Sequence, residues 1–220
     1  MMLLLQGVLE AEDVERVRKE LEAADWQDGR ATAGRNAREV KNNLQLTGQE
    51  ALTAFVSEAL HRHSIFKNAA HPKALSKILL SKYEPGMTYG PHIDNAIMGK
   101  AGPRIRADLA FTIFLVEPNT YEGGELTIET PIGPQKVKLR AGDAILYPAG
   151  SIHHVTPVTK GVRYAAVGWV QSQIRDAGQR EIIFDLGLAR ARLQEAGASR
   201  DNLLLIDKAA SNLLRMWADL

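Results

Sequence analysis

The chain has 220 residues, with 27 Lys plus Arg against 26 Asp plus Glu, six His and no Cys. That length fits one domain with a small helical appendage and buries a core without covalent staples. The missing Cys excludes a disulfide framework, thiolate-held zinc or iron–sulfur and a Cys nucleophile, and a formal charge of +1 gives no electrostatic case for nucleic acid.

The apolar start Met1–Leu5 is too short for a secretory signal. No run approaches the roughly 20 apolar residues of a membrane helix. The expectation is a soluble, cytoplasmic protein with no membrane partner. Residues 2–5 and 8–9 read as a short strand. Residues 11–25 then place Val14, Val17, Leu21 and Ala24 at helical spacing behind an acidic first turn. The polar stretch 27–43 carries no assignable period. A helical period resumes over 48–63 through Leu52, Phe55, Val56 and Leu60.

From about residue 74 the texture changes. Short runs rich in β-branched and aromatic residues recur between Gly, Pro and Asn, six of them between 108 and 170. That rhythm predicts an antiparallel sandwich or barrel, not βαβ units. Gly123-Gly124, Gly133-Pro134 and Ala141-Gly142-Asp143 are turn signals. Residues 95–107 show no strand pattern and read as a surface loop, a candidate substrate lid bearing Asn95, Arg104 and Arg106. Helical texture returns over 178–195 and 201–218. There is no internal repeat.

With no thiol, a metal would have to be held by His and carboxylate. His61, His63 and His71 read as ordinary residues of a helix and a connector. His92 and Asp94 differ, because residues i and i+2 of an extended segment project to one side. A nitrogen and a carboxylate oxygen can then meet at one point. A third ligand is available from a later strand at His153 or His154. Neighbours in a strand face opposite ways, so spacing leaves the choice between those two open. Two His and one carboxylate with open positions form the site type of non-haem Fe(II) oxygenases. Arg163 opens a later predicted strand, ten positions past His153, and shares a face with Ala165, Val167 and Trp169. An Arg facing into a barrel is costly unless it meets an anion, and a guanidinium holds a carboxylate through two parallel hydrogen bonds.

These segments resemble the PKHD-type hydroxylases, bacterial members of the prolyl 4-hydroxylase-like Fe(II)/2-oxoglutarate dioxygenases. The carrying stretches are YEPGMTYGPHID (83–94), DLAFTIFLVEP, YEGGELTIE and AGDAILYPAGSIHHVTPVTKGVR ending at Arg163, with REIIFDL and NLLRMW extending the likeness through the C-terminus. The resemblance implies an α+β fold, a double-stranded β-helix (jelly-roll) core with flanking N-terminal and C-terminal helices. It implies a dioxygenase domain over 1–172, with the core at about 74–172, and a helical extension over 173–220.

Position by position, it makes His92, Asp94 and His153 the iron ligands, leaving His154 at the variable position after the ligand. Arg163 becomes the anchor for the far carboxylate of 2-oxoglutarate, and Tyr83 a residue lying against that cosubstrate. Some relatives carry Tyr where this chain has Phe114, so one contact to the cosubstrate is missing or replaced. The implied cofactors are Fe(II), 2-oxoglutarate and O2, with ascorbate. The implied reaction hydroxylates a small molecule or peptide and releases succinate and carbon dioxide. The C-terminal helices, with Leu213, Leu214 and Trp217, are a candidate face for homo-oligomers. Two other readings use the same triad: a zinc-dependent hydrolase and a non-catalytic iron-sensing barrel.

Overall fold

The computed structural model of the protein describes residues 1–99 and 104–219. Two antiparallel sheets form its centre. The larger, of eight strands, runs Leu3–Leu5, Ala144–Pro148, Leu109–Phe114, Arg163–Ser172, Leu79–Tyr83, Leu44–Leu46 and Gln27–Asp28, with Pro72–Leu75 also paired to Arg163–Ser172. The smaller, of five strands, runs Gln135–Val137, Leu126–Ile128, His153–Val155, Thr88–His92 and Lys41–Asn42.

Alternation along the large-sheet strands divides the core in two. In Leu109–Phe114, the side chains of Leu109, Phe111 and Ile113 join one apolar cluster, and Ala110 and Phe114 join another. Ala144 and Leu146 separate from Ile145 and Tyr147 in the same way. A period of two sends alternate residues to opposite faces of a sheet. The first cluster is completed by helical residues: Val17 and Leu21 from Ala11–Glu22, Leu52 and Val56 from Glu50–Arg62, and Phe66 from Ser64–Ala70. The second is completed by Leu126, Ile128 and Val155 of the small sheet. Helices therefore cover one face of the large sheet, and the small sheet closes over the other.

The predicted turns form as read, since Gly123, Gly124, Gly133 and Gly142 all have positive φ. The double-glycine turn is required at Gly124, where an added Cβ would sit 3.0 Å from Val158 Cγ2 and 3.1 Å from Arg163 Cδ. The C-terminal helices are Ala177–Glu195 and Arg200–Trp217, and they pack on each other.

Several expectations need correction. The first strand ends at Leu5, and residues 8–9 lie beyond it, where Leu9 N–H donates to Gly142 O (3.1 Å). The helix expected to end at 63 stops at Arg62, and a separate helix, Ser64–Ala70, follows it. His63 makes that break: its ring nitrogen accepts the Phe66 N–H at 3.3 Å, capping the second helix. The unassigned stretch 27–43 holds two short strands, a 3-10 turn and the helix Arg35–Glu39. Each is too short to show a period, and its partners lie far off in sequence. The expected loop at 95–107 contains a ribbon, Ile97–Met98 paired with Ile105–Arg106, while residues 100–103 lie outside the described residues. Among the described residues, no helix is long and apolar enough to cross a membrane.

Phe66 is fully buried on the helical face, its ring edge-on to Phe111 at 6.4 Å. Replacing Phe66 with Ala removes that filling and leaves a cavity, at a cost of about 3–5 kcal/mol. Urea unfolding of Phe66→Ala will show a lower midpoint, and metal affinity will be unchanged, because the site described next lies across the sheet.

Candidate metal centre

Strand Thr88–His92 pairs antiparallel with His153–Val155, and the register sets His92 opposite His153. Asp94 follows two residues beyond His92, as the i and i+2 spacing requires. Ligand atoms of His92, Asp94 and His153 all lie within 4.8 Å of one another. His153 Nε2 stands 3.8 Å from Asp94 Oδ2. His154 Cα pairs with Thr127, and its side chain leaves by the opposite face of the strand. The choice that spacing left open thus falls to His153 as the residue beside His92 and Asp94.

Both imidazoles are held by the backbone. His92 Nδ1 lies 2.8 Å from Gly90 O, and His153 Nδ1 lies 3.0 Å from Ser151 O. A carbonyl only accepts, so each Nδ1 carries a proton, which leaves Nε2 as the atom each ring can offer to a metal. The Tyr89 ring stacks on His92 at 3.6 Å, and Tyr147 meets His153 edge-on at 5.3 Å. Burial, with His153 alongside, lowers the His92 pKa to about 4, so the ring is neutral at physiological pH. Burial also raises the Asp94 pKa, an effect His153 opposes. Asp94 Oδ2 is buried with no hydrogen-bond partner. A buried acceptor left this way costs stability, and a divalent cation would satisfy it. Two imidazoles and one carboxylate suit such an ion.

Arg163 lies in the strand that crosses the large sheet, with Tyr83 as its register partner. Only 1% of it is exposed. Its Nε has no hydrogen-bond partner, and among the described residues no carboxylate forms an ion pair with it. Its guanidinium lies 5.1 Å over the Tyr83 ring and 5.3 Å over the Phe114 ring. Phe114, where a Tyr contact is absent, instead offers the cation a π face. A buried guanidinium between two rings, with its Nε free and no carboxylate partner among the described residues, is a receptor for a small carboxylate.

Triad, Arg163 and Tyr83 all line one cavity of about 730 Å³. Ile97, Met98 and Ile105 of the ribbon line it as well. Arg106, expected in a lid, is instead tied to Asp108 (Nε to Oδ1, 2.6 Å) and to Ser172 O (3.1 Å). Sequence reading missed Lys41 and Asn43 in the cavity wall. It also placed Trp169 on the Arg163 face without a role. The Trp169 Nε1 donor is buried without a hydrogen-bond partner. Lys41 and Asn43 gave no signal because pairing with distant strands is what puts them there.

Residues 78–171 match the family model described as the 2OG-Fe(II) oxygenase superfamily. A PKHD-type hydroxylase of Acaryochloris marina is 46% identical over 223 residues, covering 100% of both chains. One of Maricaulis maris is 45% identical over 222 residues, again covering 100% of both. Among solved structures, a Pseudomonas putida prolyl-4-hydroxylase superposes with a TM-score of 0.58 at 17% identity, covering 78% of this chain and 92% of that one. HygX from Streptomyces hygroscopicus, with nickel, 2-oxoglutarate and hygromycin B bound, gives 0.58 at 14% identity, covering 79% and 84%. Both share the double-stranded β-helix.

Substitution separates the two neighbouring histidines. In a Co(II) titration, His153→Ala will weaken binding at least tenfold, and His154→Ala will stay within about twofold of the parent, since removing a ligand costs far more than removing a residue on the other face.

Proposed function

Because the chain belongs to the PKHD-type hydroxylases of the 2OG-Fe(II) oxygenase superfamily, it is a dioxygenase using Fe(II), 2-oxoglutarate and O2, and we propose that His92, Asp94 and His153 hold the iron while Arg163 and Tyr83 hold the cosubstrate. The observation that carries this assignment is the convergence of three metal-binding atoms within 4.8 Å, in one cavity with a buried guanidinium that has no carboxylate partner among the described residues.

Bound iron with 2-oxoglutarate and O2 supplies oxidative decarboxylation to succinate and carbon dioxide, coupled to hydroxylation of a C–H bond. The protein's own part is placement. His92 and His153 present Nε2 because Gly90 O and Ser151 O hold their Nδ1 protons. Asp94 supplies the negative ligand. Arg163 takes the far carboxylate of 2-oxoglutarate, and Gly124, having no side chain, leaves room for the Arg163 stem that carries the guanidinium there. Tyr83, opposite Arg163 in register, walls that end of the cavity. No general base or nucleophile is required, which agrees with a chain that has no Cys. A zinc hydrolase would leave Arg163 without a use, and an iron sensor would leave the cosubstrate end of the cavity without one.

The substrate in this reading is a small molecule, an amino acid or a peptide. The catalytic unit is residues 1–172, with 173–220 a helical extension. In support, no residue after Trp169 lines the cavity among the described residues. Exposed Leu204, Leu205 and Met216 on the last helix are the surface that self-association would use. A cytoplasmic setting, with ascorbate keeping iron ferrous, completes the reading.

Anaerobic titration of the protein with Fe(II) and 2-oxoglutarate tests it. A metal-to-ligand charge-transfer band will form, and succinate will appear once O2 is admitted. Absence of both would refute the assignment. Arg163→Ala will raise the apparent KM for 2-oxoglutarate at least tenfold and leave Fe(II) affinity unchanged. Asp94→Ala will abolish iron-dependent turnover.

A further inference from the structure

A second cation faces the same cavity. Lys41 is only 4% exposed, and the cavity wall includes it. It comes from the short edge strand Lys41–Asn42, where it pairs with Tyr89. Its Nζ lies 5.2 Å over the Tyr89 ring, and that ring is the one stacked on His92. The ammonium is therefore one aromatic layer from the metal ligands, in the opposite sheet from Arg163. Burial lowers its pKa to about 8, with Asp94 and Asp28 opposing the fall. At neutral pH it is mostly charged.

Among the described residues, no carboxylate neutralises that charge by direct contact. Nζ donates to Thr32 Oγ1 at 3.0 Å, a neutral partner. Among the described residues, no carboxylate forms an ion pair with it, and Asp28 is engaged by Arg30 at 3.6 Å. Asp94 is committed to the metal. In the loaded site, iron, 2-oxoglutarate, Asp94 and Arg163 sum to no net formal charge, and Lys41 is the cation left over. An isolated buried charge is strongly unfavourable unless something pairs with it.

The surroundings also await a ligand. Asn43, two residues on, is 3% exposed, and its side-chain amide has no hydrogen-bond partner at either end. It lines the same cavity, as do Thr32 and Gln45. The cavity also has apolar lining from Ala37, Ile97, Met98 and Ile105. A site of this kind suits a molecule with an anionic end and an apolar body.

We propose that Lys41 is the anchor for the molecule to be hydroxylated, and that this molecule is a small carboxylic acid whose carboxylate pairs with Nζ while its apolar part lies along the ribbon wall. The inference rests on the active-site reading above and deepens it by naming the substrate class. One carboxylate restores charge balance in the cavity. It also fixes the acid's orientation, so that a C–H bond beyond the anchor, not the carboxylate, is turned to the metal. This division of labour gives each cation one acid: Arg163 the cosubstrate, Lys41 the substrate.

The test is calorimetric and independent of turnover. The whole protein is loaded with Co(II) and 2-oxoglutarate and titrated with N-acetyl amino acids and short alkyl and phenyl carboxylates, each against its primary amide. The acids are expected to bind at least tenfold more tightly than the amides, as loss of a buried charge-assisted contact requires. Lys41→Met, with Lys41→Gln as a second variant, will erase that preference and leave Co(II) and 2-oxoglutarate affinities within twofold. Lys41→Arg will keep a preference for the acids. Equal affinity for acid and amide in the parent protein, including no binding of either, overturns the proposal. So does a Lys41→Met variant that loses 2-oxoglutarate as much as it loses the acids, since the lysine would then serve the cosubstrate. A parent protein that takes up neither Co(II) nor 2-oxoglutarate refutes the active-site reading itself, a distinct result.

Discussion

The antiparallel pairing of Thr88–His92 with His153–Val155 sets one imidazole opposite another, and the site is built outward from that pair. A slip of one residue would turn His153 out and His154 in, because strand side chains alternate with a period of two. The register is held from both sides. Strand Leu126–Ile128 pairs with the outer edge of His153–Val155, and Thr88 Oγ1 donates to Val155 O at 2.7 Å. Leu126, Ile128 and Val155 are buried in the inter-sheet core, so a slip would also expose apolar surface. Packing and metal geometry therefore demand the same alignment.

The inner space is electrostatically unfinished. Arg163 and Lys41 are buried cations without carboxylate partners among the described residues, and Asp94 holds an unpaired buried oxygen. Each costs stability in the protein alone, and the large sheet with its helix-backed core carries that cost. A cation and acid ligands bound there would relieve it, and binding would then be linked to folding. The polar groups sit where the two sheets face each other, and the purely apolar cluster lies on the helical side. This separation lets one face of a single sheet supply stability and the other supply chemistry.

Much of the site was legible along the chain because its signals are local. The spacing of His92 and Asp94 needs only an extended backbone. Arg163 shares its face with Val167 and Trp169 through simple alternation, and the structure puts all three on the cavity wall. The resemblance of the 83–94 and 141–163 segments supplied His153. Turn glycines and the C-terminal helices were readable for the same local reason. What escaped was Lys41, Asn43 and the elements around them. Their strands are two or three residues long, below the length at which a period can be seen. The ribbon at Ile97–Met98 and the helix break at His63 were hidden likewise, the one by its shortness and the other by a capping contact made through a side chain.

By itself, then, the sequence determined the ligand types, the all-β character of the central region, the helical flanks and the family. Those follow from composition, spacing and motif, which the chain carries before it folds. Tertiary structure decided which of two adjacent histidines faces inward, and that Arg163 is enclosed between Tyr83 and Phe114. It also decided that a lysine from an unassigned segment stands one ring away from His92. The physical reason is the same in each case. A strand's inward face, and the burial of a charge, depend on pairing with segments tens of residues distant, and no local pattern encodes that partner.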